Sequence, residues 1–156
     1  MNTITADKKI YKAIVAFQTN KTQNASLMFK NLIKFYPKYA PVYYNAGVFY
    51  KNIGKFAKAI SLFETAINLK KNYANAYFEL GSIYFKNNQL DKAENIYLKI
   101  LKLQSNNNKE VLFILGQIYQ KNYNFNKAIT YYRKYLSIDQ NDTETIINLG
   151  YCFQQT

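Results

Sequence analysis

Four glycines recur at a nearly constant interval: Gly47, Gly81, Gly116 and Gly150 stand 34, 35 and 34 residues apart. A period in this range marks a stacked array of like units rather than an ordinary globule. Three residues after each glycine comes an aromatic: Tyr50, Tyr84, Tyr119 and Phe153. Twelve residues after each of the first three glycines comes an alanine (Ala59, Ala93, Ala128), and four beyond that another aromatic (Phe63, Tyr97, Tyr132). A glycine inside a helix costs about 1 kcal/mol relative to alanine, so a chain that repeats it must recover the cost in packing. The expectation is that each glycine faces the alanine of a second helix. That small pair would let two backbones approach, with rings such as Tyr84 and Tyr97 filling the flanks.

Within each unit the apolar spacing is helical. Tyr77, Leu80, Gly81 and Tyr84 fall at i, i+3, i+4 and i+7, on one helical face, and Ala93, Ile96, Tyr97, Ile100 and Leu101 do the same. Between these runs lies KNNQLDK, where Asn88 suits the left-handed conformation that ends a helix. Gly54 and Asn20 occupy the equivalent turn. Each unit therefore reads as a helical hairpin.

The pattern resembles the tetratricopeptide repeat family, whose motif is an aromatic, Leu-Gly, Tyr, Ala, Phe, Ala and Pro. The first full unit has Tyr43, Ala46-Gly47, Tyr50, Ala59, Phe63 and Ala66. The second has Tyr77, Leu80-Gly81, Tyr84, Ala93 and Tyr97, and the third Leu112, Leu115-Gly116, Tyr119, Ala128 and Tyr132. The resemblance implies a single all-α array over residues 1–156: a right-handed superhelical solenoid of antiparallel helix pairs. Its full repeats span 40–73, 74–108 and 109–142. Residues 6–39 form a degenerate repeat that keeps Ala25, Phe29 and Pro37 but has Ala13 and Ala16 for the glycine and tyrosine, and 143–156 supply the first helix of a partial repeat. Lys71, Ser105 and Gln140 stand where the closing proline is usual, and Ile100 and Tyr135 replace a small alanine.

Composition narrows the chemistry. Hydrophobic residues make up 49% of the chain, which excludes intrinsic disorder. There is no histidine, so a catalytic triad or an imidazole metal site is excluded; one cysteine, Cys152, allows neither an intrachain disulfide nor a thiolate zinc site. Glu79, Glu110 and Glu144 fall on first helices of successive units, but one carboxylate per helix reads as solvated charge rather than a metal site. No phosphate-binding glycine loop is present. The reading is a non-enzymatic protein without a cofactor. The net charge of +12 comes almost wholly from lysine, Arg133 being the single arginine. Lysine spread along the chain reads as solvated helix surface, and an AT-rich genome would favour it; specific nucleic-acid recognition is not expected. No transmembrane stretch is visible and MNTITADKKIYKAIVAF lacks an apolar signal core. The expectation is cytoplasmic, or periplasmic or exported if a leader has been removed.

In the resembled family the first helices line a concave groove that receives a partner peptide. Carried over by position, the groove residues are Tyr44, Phe78, Phe113 and Ile147 as an exposed apolar ladder, beside Asn45, Glu79, Ile114 and Asn148. One turn further come Val48, Ser82, Gln117 and Tyr151, and at the far end Lys51, Phe85, Lys86 and Lys121. The ladder predicts a protein or peptide partner and a role as an interaction scaffold or chaperone-like module. The clamp of lysines and asparagines with which one subfamily holds a chaperone C-terminus is absent: Tyr44, Val48, Phe78 and Ser82 occupy its positions. The alternative is a basic module binding an anionic polymer or a membrane surface through lysines. The C-terminal segment NLGYCFQQT leaves Ile146, Gly150 and Phe153 without a second helix; the expectation is either that the natural chain continues or that this face meets another copy of itself, and the homodimer through that end is favoured.

Overall fold

The computed structural model describes residues 3–104 and 108–156; Ser105 lies outside them. Among the described residues all regular structure is helical. The helices are α1 (Thr3–Gln18), α2 (Thr22–Phe35), α3 (Ala40–Asn52), α4 (Phe56–Leu69), α5 (Ala74–Lys86), α6 (Leu90–Leu103), α7 (Lys109–Lys121), α8 (Phe125–Leu136) and α9 (Thr143–Gln154). The chain divides into two compact units, residues 1–80 and 81–156, with the division inside α5.

The turns within the hairpins share one geometry. Asn20, Gly54, Asn88 and Tyr123 each have positive φ, at 59°, 75°, 56° and 56°. The amide of the next residue donates back five positions: Lys21 to Ala16, Lys55 to Tyr50, Gln89 to Tyr84 and Asn124 to Tyr119, at 2.8–2.9 Å. This Schellman arrangement satisfies carbonyls that a helix end would leave bare. Asparagine and glycine enter the left-handed region readily; a tyrosine there is an outlier. Tyr123 was not legible as a turn residue for that reason.

In the first unit α1 packs on α2 and α3 on α4, and α3 also rests against both earlier helices. Phe49 is the hub: its ring lies 5.2 Å from Phe17, 5.2 Å from Phe29 and 5.0 Å from Tyr50. In the second unit α7 packs on α6 and α8, and α9 on α8. Leu112, Leu115, Ile118 and Tyr132 form its core, and Thr145 and Cys152 turn inward from α9 with no exposure. Burial also pushes the Cys152 thiol pKa up, so it is a packed group rather than a nucleophile.

Gly47, Gly81 and Gly116 have rings, not alanines, as their nearest neighbours. A Cβ on Gly47 would stand 2.6 Å from Phe63 Cε1, and one on Gly116 2.4 Å from Tyr132 Cε1. On Gly81 it would lie 3.0 Å from Tyr97 Cζ and 3.1 Å from Ile96 Cγ2. Ala59, Ala93 and Ala128 are fully buried, but the space each glycine vacates is filled by the aromatic one turn beyond the alanine. This corrects the small-pair expectation. A whole ring in the hairpin seam buries more apolar surface than two close backbones would.

A second periodic contact accounts for part of the lysine content. Lys58, Lys92 and Lys127 lie over the rings of Tyr50, Tyr84 and Tyr119, at 4.0, 5.4 and 4.9 Å from the centroids. These lysines recur at the repeat interval and cover the outer faces of the motif tyrosines, each an attraction of about 0.5–1 kcal/mol when exposed. The tyrosine hydroxyls then reach other helices: Tyr50 and Ser26 Oγ share a hydrogen bond at 3.3 Å, and Tyr119 donates to Glu94 Oε1 at 2.6 Å.

Candidate functional site

The first helices of the hairpins carry the groove positions, and none of the sixteen predicted residues is buried. In the first unit Tyr44, Asn45, Val48, Lys51, Phe78 and Glu79 are half-buried. Two factors hold Tyr44 in place. Its ring lies 6.1 Å from Phe63, the ring that fills the Gly47 space, and 5.1 Å from Tyr73. Burial raises its phenol pKa, and the Glu79 charge adds to the effect. Tyr73 is pushed up to about 12, by burial first and then by Tyr44, Tyr39 and Asp7. Tyr39 donates to both Asp7 carboxylate oxygens, at 2.9 and 3.1 Å. Lys51 pairs with Glu79. The Asn45 amide donates to the Pro41 carbonyl at 2.8 Å, so one of its hydrogens is committed to its own helix.

In the second unit Ser82, Phe85, Phe113, Ile114, Gln117 and Asn148 are half-buried, while Lys86, Lys121, Ile147 and Tyr151 are exposed. Phe113 repeats the first of the Tyr44 contacts, its ring 6.0 Å from Tyr132, and finds its second neighbour on α8, Tyr135, at 5.7 Å. The ladder is therefore not the freely exposed row expected. Tyr44 and Phe113 brace the seam rings and are themselves half-buried. Ile147, on α9, is 65% exposed.

Four predicted residues come together around one concavity. Gln117, Lys121, Asn148 and Tyr151, with Gln120 and Tyr123, line a space of about 390 Å³ between α7 and α9. Lys121 Nζ stands 5.9 Å above the Phe85 ring. Tyr151 meets Phe125 edge-on at 6.1 Å, and Phe125 meets Tyr123 edge-on at 6.2 Å. Among the described residues, no three carboxylate or thiol groups gather as metal ligands would, and no helix is long and apolar enough to cross a membrane.

Sequence models described as tetratricopeptide repeat match residues 28–61, 54–112 and 109–142. No curated protein matches the chain. Among solved structures, a crystal structure of MamA aligns with TM-score 0.85 at 21% identity, covering 97% of this chain and 82% of that one. YrrB, described as a TPR protein with an unusual peptide-binding site, aligns with TM-score 0.80 at 19% identity, over 94% of this chain and 75% of that one. The pilF protein of Pseudomonas aeruginosa aligns with TM-score 0.78 at 14% identity, over 96% and 68% of the two chains. At such identities the likeness is one of fold: an all-α solenoid of paired helices.

Proposed function

Because the chain belongs to the tetratricopeptide repeat family, we propose that it is a non-catalytic protein-interaction module, a scaffold or chaperone-like protein that holds a partner peptide along its first helices. One observation carries this reading. Apolar residues recur at one position of successive first helices (Tyr44, Phe78, Phe113, Ile147), and none of them is buried. Amides and lysines flank them, as a surface that binds both side chains and peptide groups requires. The peptide-binding description of YrrB supports the same reading at the level of fold.

A second reading draws on charge. Residues 1–80 carry twelve lysines against three acids, whereas residues 81–156 carry nine basic and six acidic residues. That imbalance favours an anionic polymer or membrane surface on the first unit. Salt separates the two readings. Polyanion binding through several lysines falls by orders of magnitude between about 50 and 200 mM salt, whereas peptide held by apolar contact changes little. The test is retention of short immobilised peptides by the wild type and by Val48→Ser/Ile114→Ser across that salt range. Salt-stable retention by the wild type that the variant loses is the expected result. Equal retention by both proteins, or retention abolished by salt, defeats the groove reading. We further propose that the α9 face bearing Ile146 and Phe153 pairs with a second copy of the chain.

A further inference from the structure

The turn joining α7 to α8 departs from its three counterparts in a residue that the buried core does not call for. Where the others place Asn20, Gly54 and Asn88, it places Tyr123 at φ 56°, with the side chain 80% exposed. Strained backbone of this kind concentrates at functional sites. The ring contributes nothing to the core. It stands beside Phe125 and lines the concavity between α7 and α9, with Tyr151 as the other aromatic wall.

The remaining lining is polar and largely unspent. The Gln117 and Asn148 side chains make no hydrogen bond within the described chain. Gln120 Oε1 accepts the Tyr132 hydroxyl at 2.6 Å, which leaves its NH2 to donate elsewhere. Lys121 lies over Phe85 and no described carboxylate bonds it. None of the six lining residues is acidic.

Resting on the groove reading above, we propose that this concavity is a subsite for an acidic residue adjoining an aromatic one in the partner peptide. The carboxylate meets Lys121, the partner ring lies against Tyr123 and Tyr151 where they line the concavity, and the Gln117 and Asn148 amides satisfy the intervening peptide groups. The lining chooses this occupant over others. One cation matches one carboxylate, whereas a nucleotide's phosphates call for several cations or a ring of backbone amides. A neutral sugar would leave Lys121 unmatched. Two amides that each donate and accept are complementary to a peptide group. Tyr123 is the specificity residue, placed outside the inner helices on a turn that elsewhere carries asparagine or glycine.

The test is an NMR titration of the full ¹⁵N-labelled chain with N-acetyl-Asp-Phe-amide. The comparison probes are N-acetyl-Asn-Phe-amide, N-acetyl-Asp-Ala-amide and inorganic phosphate. Saturable shifts are expected at the Gln117 and Asn148 side-chain amides and at the Tyr123 backbone, with each comparison dipeptide weaker by about threefold or more. Tyr123→Asn keeps or raises the melting temperature, because it restores the residue used at Asn20 and Asn88, yet abolishes discrimination between the Phe and Ala probes. Lys121→Gln abolishes discrimination between the Asp and Asn probes. No saturable shift at these residues, shifts unaltered by both variants, or equal shifts with phosphate overturns the subsite. Shifts confined to Asn45 and Val48 also overturn it, while leaving the groove reading standing.

Discussion

At Gly116 a single hydrogen separates a folded hairpin from a clash, since a Cβ there would stand 2.4 Å from a ring that is itself fully buried. The four glycines therefore respond differently to one substitution. Alanine gains up to about 1 kcal/mol of helix propensity over glycine, and overpacking a tight core costs about 1–3 kcal/mol. Gly116→Ala and Gly47→Ala lower the melting temperature, the first more. Gly81→Ala, with its nearest atoms at 3.0–3.1 Å, comes out near balance. Gly150→Ala raises it, because nothing lies within 4 Å of the added atom. Thermal unfolding of the four variants checks the order, and a destabilised Gly150→Ala would refute the account. Spacing made the glycines legible, but not what they make room for. The alanine and the aromatic four residues on lie one turn apart on the facing helix, and only their relative height decides which meets the glycine. Tyr73 supplies a second residue-scale expectation. Its pKa is raised from 10.0 to about 12, so the folded state favours the neutral phenol. That contribution is complete below about pH 10 and is lost as pH rises towards 12. Tyr73→Phe flattens the alkaline fall in stability over this window, measured by denaturant unfolding at each pH.

Among the helices, position was readable and degree of burial was not. Position carried over from the family resemblance placed Tyr44 and Phe113 on first helices, but treating them as wholly exposed missed that each ring braces a seam aromatic. Full truncation of a buried aromatic costs about 3–5 kcal/mol. Tyr44→Ala and Phe113→Ala, each about half-buried, should therefore lose roughly 1.5–2.5 kcal/mol, whereas exposed Ile147→Ala stays within about 0.5 kcal/mol. Urea denaturation separates these outcomes, and binding tests of the groove are cleaner at Val48 and Ile114 than at the rings. Helix α9 depends on its cap. Asp142 Oδ1 accepts from the Thr145 amide at 2.7 Å, and hydrogen bonding from Thr145 holds the Asp142 carboxyl below its ordinary range. The pKa is depressed by folding, so the stabilisation is present above the unfolded value and lost as pH falls through the folded one. Hydrogen exchange should show α9 amides losing protection first on acidification, and Asp142→Ala should show the same loss at neutral pH.

Over the whole chain, the period identified the array, because stacked units must repeat whatever packs one against the next, and the helical spacing inside each period identified the hairpins. The charge pattern was harder to read. Lysines that looked merely solvated include three that recur over motif tyrosines, a pairing invisible until ring and ammonium are placed in space. Charge also sets the terms of self-association. On α9, Ile146 is 48% exposed and Phe153 46% exposed, with the Arg133 guanidinium 5.1 Å over the Phe153 ring. At Gly47, Gly81 and Gly116 the equivalent face is covered by a ring of the second helix; at Gly150 it is open. Covering such side chains is worth roughly 1.5–3 kcal/mol each when complete, and a two-fold pairing covers both copies at once. Opposing it, two chains of +12 repel, and salt screens that repulsion over a Debye length of about 10 Å at 0.1 M. Self-association through α9 should therefore strengthen with both concentration and salt, the reverse of polyanion binding. Light scattering across a concentration series at low and high salt is the measurement. Ile146→Asp/Phe153→Asp should remain monomeric throughout, because it places charge where the apolar faces would meet. A wild type that stays monomeric at every salt and concentration refutes the pairing, and one whose association salt weakens assigns it to charge instead of to this face.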